Sequence, residues 1–140
     1  MTSGTAITAI HIKPDGHVLS RPLSSNDTGR SLCNAIGCDL FDVVSLDEGI
    51  DLFVDDEGIN RGAPLNLVAT VLAHVLGSRA VLFGTAVAVS TDAAGETIGL
   101  SPAQTSRITD ALQHRPAPAT IDALADSLAP FPAIAQMFRA

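Results

Sequence analysis

The chain has 140 residues, of which 46% are hydrophobic and 16% charged, and these values predict one folded domain and exclude the disordered class. Its 15 acids outnumber 8 bases, for a formal net charge of -7, and the bases are scattered singly. Because surfaces that bind nucleic-acid phosphates need clustered cations, direct nucleic-acid binding is disfavoured.

The ends and the cysteines of the chain predict its compartment. The N-terminal segment lacks the pattern of an export leader, and no apolar run reaches the roughly 18 to 20 residues that a membrane span needs. Two cysteines, Cys33 and Cys38, have neither a redox nor a zinc spacing. We therefore expect a cytoplasmic protein with reduced thiols, no membrane segment, no metal and no cofactor.

The N-terminal half predicts two hairpins with a helix between them. The runs "AITAIHI" and "HVLSRPL" flank the turn signal "KPDG", which places Ile12 opposite Val18 and leaves His11 and His17 on an exposed face. The run "SSNDTGRSLCNAIG" predicts a short helix that ends at Gly37. "DLFDVVSL" and "GIDLFVDD" then predict a second hairpin that turns at residues 47–49.

A central helix is predicted next. Pro64 is the expected first helical residue, and the apolar residues of "PLNLVATVLAHVL" cover nearly the whole circumference up to Gly77, which predicts burial. "RAVLFGTAVAVST" predicts a long core strand with Gly84 as a bulge or point of close approach. "SPAQTSRITDALQHR" starts with a capping-box pattern and predicts another helix.

This order of elements predicts an α+β fold. We expect a mixed or mostly antiparallel sheet, built from two hairpins plus a long strand, packed on the central apolar helix, with C-terminal helices. Residues 1–115 are expected to form a single α+β domain, and residues 116–140 a C-terminal helical extension. That extension either packs on the same domain or provides, through its apolar tail from Phe131 to Phe138, a surface for homo-oligomerisation.

The acidic residues are concentrated in one stretch. Eight of the 15 acids lie between positions 39 and 57, where no Lys or Arg occurs, so one end of the molecule should carry a negative field. A calcium loop is disfavoured because the EF-hand spacing is absent, and a solvated turn is the simpler interpretation. The candidate surface for a basic protein partner consists of Asp47, Glu48, Asp51, Asp55, Asp56 and Glu57.

A second candidate site lies on the central helix. Asn66, Thr70 and His74 follow one another at i, i+4 and i+8, with Arg61 just upstream, and this polar line could border a small-ligand pocket. Alternatively, it is the solvent edge of the helix or a set of side chains bonded to neighbouring backbone. No serine elbow and no phosphate-binding loop occurs, so the sequence contains no catalytic motif and does not favour an enzyme.

The central part of the chain resembles an uncharacterised domain-of-unknown-function family of small proteins from high-GC bacteria, plasmids and phages. The likeness covers roughly residues 7–100 and includes the first hairpin. Asp56 departs from it, since the family often has Asn there. The matching positions are Glu57, Gly58, Gly62, Pro64, Asn66, Ala69, Thr70 and Gly84.

The resemblance implies a setting in mobile elements rather than a mechanism. We therefore expect a small acidic accessory protein that acts by protein–protein interaction. The alternative is a small-ligand binding module or uncharacterised enzyme with a pocket near the start of the central helix.

Overall fold

The computed structural model of the protein describes residues 6–24, 28–37, 41–55 and 62–139. The strands are β1 (Ala6–Ile12), β2 (Val18–Ser24), β3 (Phe41–Ser45), β4 (Ile50–Asp55), β5 (Ala86–Thr91) and β6 (Thr97–Ile98). The helices are α1 (Thr28–Ile36), α2 (Leu67–Val75), α3 (Pro102–Gln113), α4 (Pro118–Ser127) and α5 (Pro132–Arg139).

The described strands form one sheet in the order β2-β1-β5-β4-β3, and every strand pair in it is antiparallel. Strand β6 pairs with the end of β5, on the same side as β1. Both predicted hairpins are present, and Ile12 lies opposite Val18 as expected. The α+β fold with an antiparallel sheet and C-terminal helices is therefore confirmed.

Helices cover both faces of the sheet. On one face, α1 contributes Leu32 to a cluster with Val87 and Val89 of the central strand. On the other face, Leu72 and Leu76 of α2 join the main core, which also includes residues of α3. Alternation along the strands supplies apolar side chains to both faces, because side chains at successive positions point to opposite sides of the sheet.

Helix α2 starts three residues later than predicted. Its first helical residue is Leu67, and the side chain of Asn66 caps it by accepting a hydrogen bond from the Ala69 backbone N–H. Pro64 remains outside the helix because its carbonyl accepts a hydrogen bond from the backbone N–H of Gly84. The prediction that Pro64 is the first helical residue is therefore wrong.

The long strand predicted over residues 79–91 is also shorter than expected. Strand β5 starts at Ala86, and the preceding residues run beside the entry to α2, where Leu65 and Phe83 form an isolated antiparallel bridge. Gly84 adopts a positive φ of 78° at this point, which a side chain would disfavour. The second half of the predicted strand therefore pairs within the sheet, whereas residues 82–84 bond to the segment that leads into α2.

Helices α4 and α5 pack on the outer side of α2. Leu124 and Leu128 are buried there against a set that includes Val71, and the rings of Phe83 and Phe131 lie 5.8 Å apart. Helix α2 consequently lies between the sheet and the C-terminal helices, and none of the described helices is long and apolar enough to cross a membrane. The domain boundary at residue 115 and homo-oligomerisation through the tail remain predictions.

Gly99 provides a test of the contact between β6 and β1. A Cβ added at Gly99 would lie 2.7 Å from the backbone nitrogen of Thr8, beside the hydrogen bond between the Leu100 N–H and the Thr8 carbonyl. Gly99→Ala should therefore lower the free energy of unfolding by about 1–3 kcal/mol, because the backbones must separate. Urea denaturation measures this change, and Ala94→Ser, at an exposed position of the neighbouring turn, should leave stability unchanged.

Candidate functional site

The polar line of α2 begins at Asn66, whose side chain is fully buried. Its Nδ2 donates to the carbonyl oxygens of Ile12, at 2.9 Å, and Gly84, at 2.8 Å, while its Oδ1 accepts from the Ala69 N–H at 3.0 Å. Its own backbone N–H donates to the Leu82 carbonyl. The Asn66 amide therefore joins the start of α2 to the end of β1 and to the segment before β5.

Thr70 continues this line one turn later and is also fully buried. Its Oγ1 donates to the Asn66 carbonyl at 2.8 Å and accepts from the Leu82 backbone N–H at 3.0 Å. The hydroxyl thus stabilises the same crossing as Asn66, and both side chains use their polar groups within the fold.

His74 links α2 to the C-terminal helices. The residue is 8% exposed, with Nδ1 lying 2.8 Å from the Thr70 carbonyl oxygen and Nε2 lying 2.7 Å from the Ser127 Oγ on α4. Because a carbonyl can only accept, Nδ1 carries the proton, and Nε2 of the neutral ring accepts from the Ser127 hydroxyl. The ring also borders a cavity of about 230 Å³ with Ser78, Arg79 and residues of α4.

A serine hydroxyl bonded to a histidine also meets the first geometric requirement for nucleophilic catalysis. Ser127, however, is not among the residues that line the cavity beside His74. We therefore interpret the pair as a connection between α2 and α4.

The polar line accordingly matches the alternative in which its side chains bond to neighbouring groups of the protein. Arg61, the fourth member of the predicted site, lies outside the described residues, as do Asp56 and Glu57 of the acidic set. Ligand binding by Arg61, Asn66, Thr70 and His74 remains a prediction.

An apolar cavity opens on the adjacent face of α2, near its start. Its volume is about 480 Å³, within the range of about 300–1,000 Å³ that small-molecule sites occupy. Its rim includes Val18, which is 42% exposed, and the imidazole of His114. Its lining residues are Gly16, Val18, Leu67, Val68, Val71, Ala111, Leu112, His114 and Pro116. The sequence predicted a pocket near the start of this helix, but bordered by the polar line, and none of Asn66, Thr70 and His74 lines this cavity. Its actual lining could not be identified because the walls come from a hairpin turn and two helices distant in sequence.

The tip of the acidic hairpin contacts two helices. The Asp47 N–H donates to the Leu76 carbonyl at the end of α2, and the Asp47 carboxylate lies beside Gly77. The Glu48 carboxylate accepts from the Arg107 Nε of α3 at 2.9 Å, and its backbone carbonyl accepts from the Gln104 side chain. Asp47 and Glu48 nevertheless remain exposed.

The other described acids of this hairpin are spread along its length. Asp51 accepts a hydrogen bond from the Thr91 hydroxyl on β5 and is half-buried. Asp55 is half-buried at the far end of β4, opposite Phe41, and Asp42 on β3 is exposed. The carboxylates thus occupy both ends of one hairpin. Within the described part of the chain, no group of three or more potential ligands could hold a metal ion.

His11 departs from the expectation of an exposed hairpin histidine. It is only 8% exposed because β1 lies between β2 and β5, so that Leu19 and Val87 flank it on the two sides. Its Nε2 is buried without a hydrogen-bond partner. Burial lowers the pKa of His11, and the Arg21 charge lowers it further. The hairpin pattern alone could not reveal that another strand would pair with β1.

Comparison with known proteins shows the family. The model of a domain of unknown function, DUF3846, matches residues 7–113, and the chain therefore belongs to this family. No match was found among curated proteins or solved structures. The resemblance noted from the sequence to a domain-of-unknown-function family is thus confirmed.

Replacing Asn66 tests its structural role. Asn66→Ala leaves the buried Ile12 carbonyl, the partly buried Gly84 carbonyl and one helix N–H without their partner, and should lower the free energy of unfolding by about 2–5 kcal/mol. Thermal and urea denaturation measure the loss. Asn34→Ala, at an exposed position of α1, is the matched control and should change stability by less than about 0.5 kcal/mol. Equal stability of the two variants would contradict the role assigned to the amide.

Proposed function

We propose that this DUF3846 protein acts by binding another protein, and that the exposed acidic hairpin β3–β4 is its contact surface. The observation that carries the proposal is the exposure of Asp42, Asp47 and Glu48 on a hairpin at one end of the sheet order. Residues 31–60 contain no Lys or Arg, so the β3–β4 hairpin itself carries no cation. Arg107 of α3 contacts one of these three acids, Glu48.

The distribution of charge supports a basic partner. Lys13 and Arg21 lie on the β1–β2 hairpin, at the opposite end of the sheet order from the acidic hairpin. Salt largely screens the interaction between exposed charges that are separated by more than a Debye length, roughly 8 Å at physiological salt, so these distant cations cancel little of the field of the acidic hairpin. The acidic hairpin therefore presents its own negative field, which would attract a basic protein and repel acidic surfaces.

The proposed setting is the cytoplasm of a bacterium, as an accessory protein of a phage, plasmid or integrated element. The resemblance to proteins of high-GC bacteria and their mobile elements supports this setting.

Neutralising the exposed acids tests the proposal. A tagged protein is used to capture partners from its native host, and the purified partner is then titrated with wild type and with the triple variant Asp42→Asn, Asp47→Asn, Glu48→Gln. We expect at least a tenfold weaker Kd for the triple variant and a weaker wild-type interaction at high salt, because the attraction is electrostatic.

The matched control removes two exposed acids elsewhere. Asp110→Asn with Asp122→Asn, on α3 and α4, should leave the Kd unchanged. If the hairpin variant binds the partner as tightly as wild type does, the acidic hairpin is not the interface.

A second candidate function is binding of a small apolar molecule, and the cavity of about 480 Å³ beside the start of α2 favours it. Side chains of Leu67, Val68 and Val71 supply its apolar wall, and His114 supplies a polar group at its rim. This arrangement of an apolar body with few polar groups is typical of small-molecule sites.

Filling the cavity tests this second candidate. A library of small apolar and aromatic compounds is screened by thermal shift, where a compound at 100 times its Kd adds about 2.7 kcal/mol of stability. Val18→Trp should abolish the shift because its ring enters the cavity. Ile98→Trp, at a similarly exposed strand position outside the cavity, should preserve it. An identical shift in both variants would place the compound elsewhere.

A further inference from the structure

His11 occupies an unusual position for a titratable side chain. It lies on the face of the sheet that α1 covers, in the same alternation as Ala9, and Leu19 and Val87 are its neighbours across the two strand pairs. The residue is 8% exposed, and its Nε2 is buried with no hydrogen-bond partner among the described residues. Buried polar atoms in folded proteins are nearly always bonded, so this atom requires an explanation.

The charged groups around His11 do not favour a protonated ring. Arg21 on β2 lies diagonally across the strand pair, and Lys13 follows two residues later along the chain, so a protonated His11 would be a third cation among them. The neighbouring strand β5 presents the apolar Val87 and Val89 to this face.

The remaining titratable groups belong to elements further from the ring. Strand β4 carries Asp51, which bonds to Thr91, and Asp55, which lies near the end of the strand. Helix α1 carries Arg30 and Cys33. The Nε2 atom of His11 has no hydrogen-bond partner among the described residues, so a proton added to that atom would have no bonded counter-ion there.

We propose that His11 is a proton-sensitive element of this fold, whose protonation at mildly acidic pH loosens the β1–β2 hairpin and its contact with α1. The buried, unbonded ring nitrogen is compatible with a neutral imidazole between two strands. A proton would place an unpaired charge there, beside Arg21 and Lys13, and the ring could be solvated only if the strands or the covering helix moved apart.

The sign of the effect follows from linkage. Burial, followed by the charges of Arg21 and Lys13, lowers the pKa of His11 in the folded state below its ordinary value of 6.5, although a hydrogen bond with the Arg21 backbone opposes this. As pH falls below 6.5, the unfolded chain binds the proton before the folded chain does. The contribution to stability is therefore complete above pH 6.5 and decreases as pH falls towards the folded-state pKa.

The direct test is an NMR titration of the histidine ring protons of the full wild-type chain between pH 7.5 and pH 5. The expected result is a His11 resonance that titrates below pH 6.5, the ordinary value, accompanied by faster amide exchange in β1, β2 and α1 and unchanged exchange in β3 and β4, after correction for intrinsic rates. A His11 resonance that titrates at or above pH 6.5, or uniform loss of protection, would overturn the proposal.

Variants supply the second test. Wild type should lose several degrees of Tm between pH 7.5 and pH 5.5, and His11→Phe, which keeps a ring but cannot be protonated, should lose much less. His11→Gln serves the same purpose if the larger apolar ring disturbs folding. The matched control His114→Gln should retain the acid sensitivity of wild type, and equal sensitivity of the His11 variants and wild type would refute the proposal.

Discussion

The side-chain amide of Asn66 is the contact on which the arrangement of the layers depends. Two carbonyls from separate parts of the chain, those of Ile12 and Gly84, converge on its Nδ2, while its oxygen caps the first turn of α2. Only an amide can donate twice and accept at once in this position, since a carboxylate lacks donors and an apolar residue lacks both. The amide thereby sets where α2 starts relative to the sheet.

The other elements follow from that placement. With α2 held at its first turn, Leu72 and Leu76 reach the sheet, and Thr70 and His74 extend the hydrogen bonding to the Leu82 backbone and to Ser127. The C-terminal helices pack on the side of α2 that faces away from the sheet. A single polar line on an otherwise apolar helix thus connects three layers, because buried polar groups are stable only when bonded.

This use of polar groups affects where recognition can occur. Asn66 and Thr70 are fully buried, and the polar atoms of their side chains are bonded within the protein, so they present little to a ligand. Polar and apolar surface remains elsewhere, on the acidic hairpin and in the cavity near Val18. The proposed interaction surface therefore lies outside the polar line of α2.

The sequence by itself determined the parts that depend on local chemistry. Both hairpins, the helix stop at Gly37 and the capping box of Ser101 and Gln104 could be predicted, because turn and cap preferences act over a few residues. The candidate polar line was recognised from spacing, but its partners were not. The hydrogen bond from the Asn66 side chain to the Ile12 carbonyl joins residues 54 positions apart, and no local sequence pattern specifies such a pairing. Only the tertiary structure decided that β5 pairs with β1, a pairing that buries His11. It also decided that the residues before β5 bond to the entry of α2 instead of extending the strand. Neither outcome could be predicted locally, because the order of strands distant in sequence depends on the packing of the whole core.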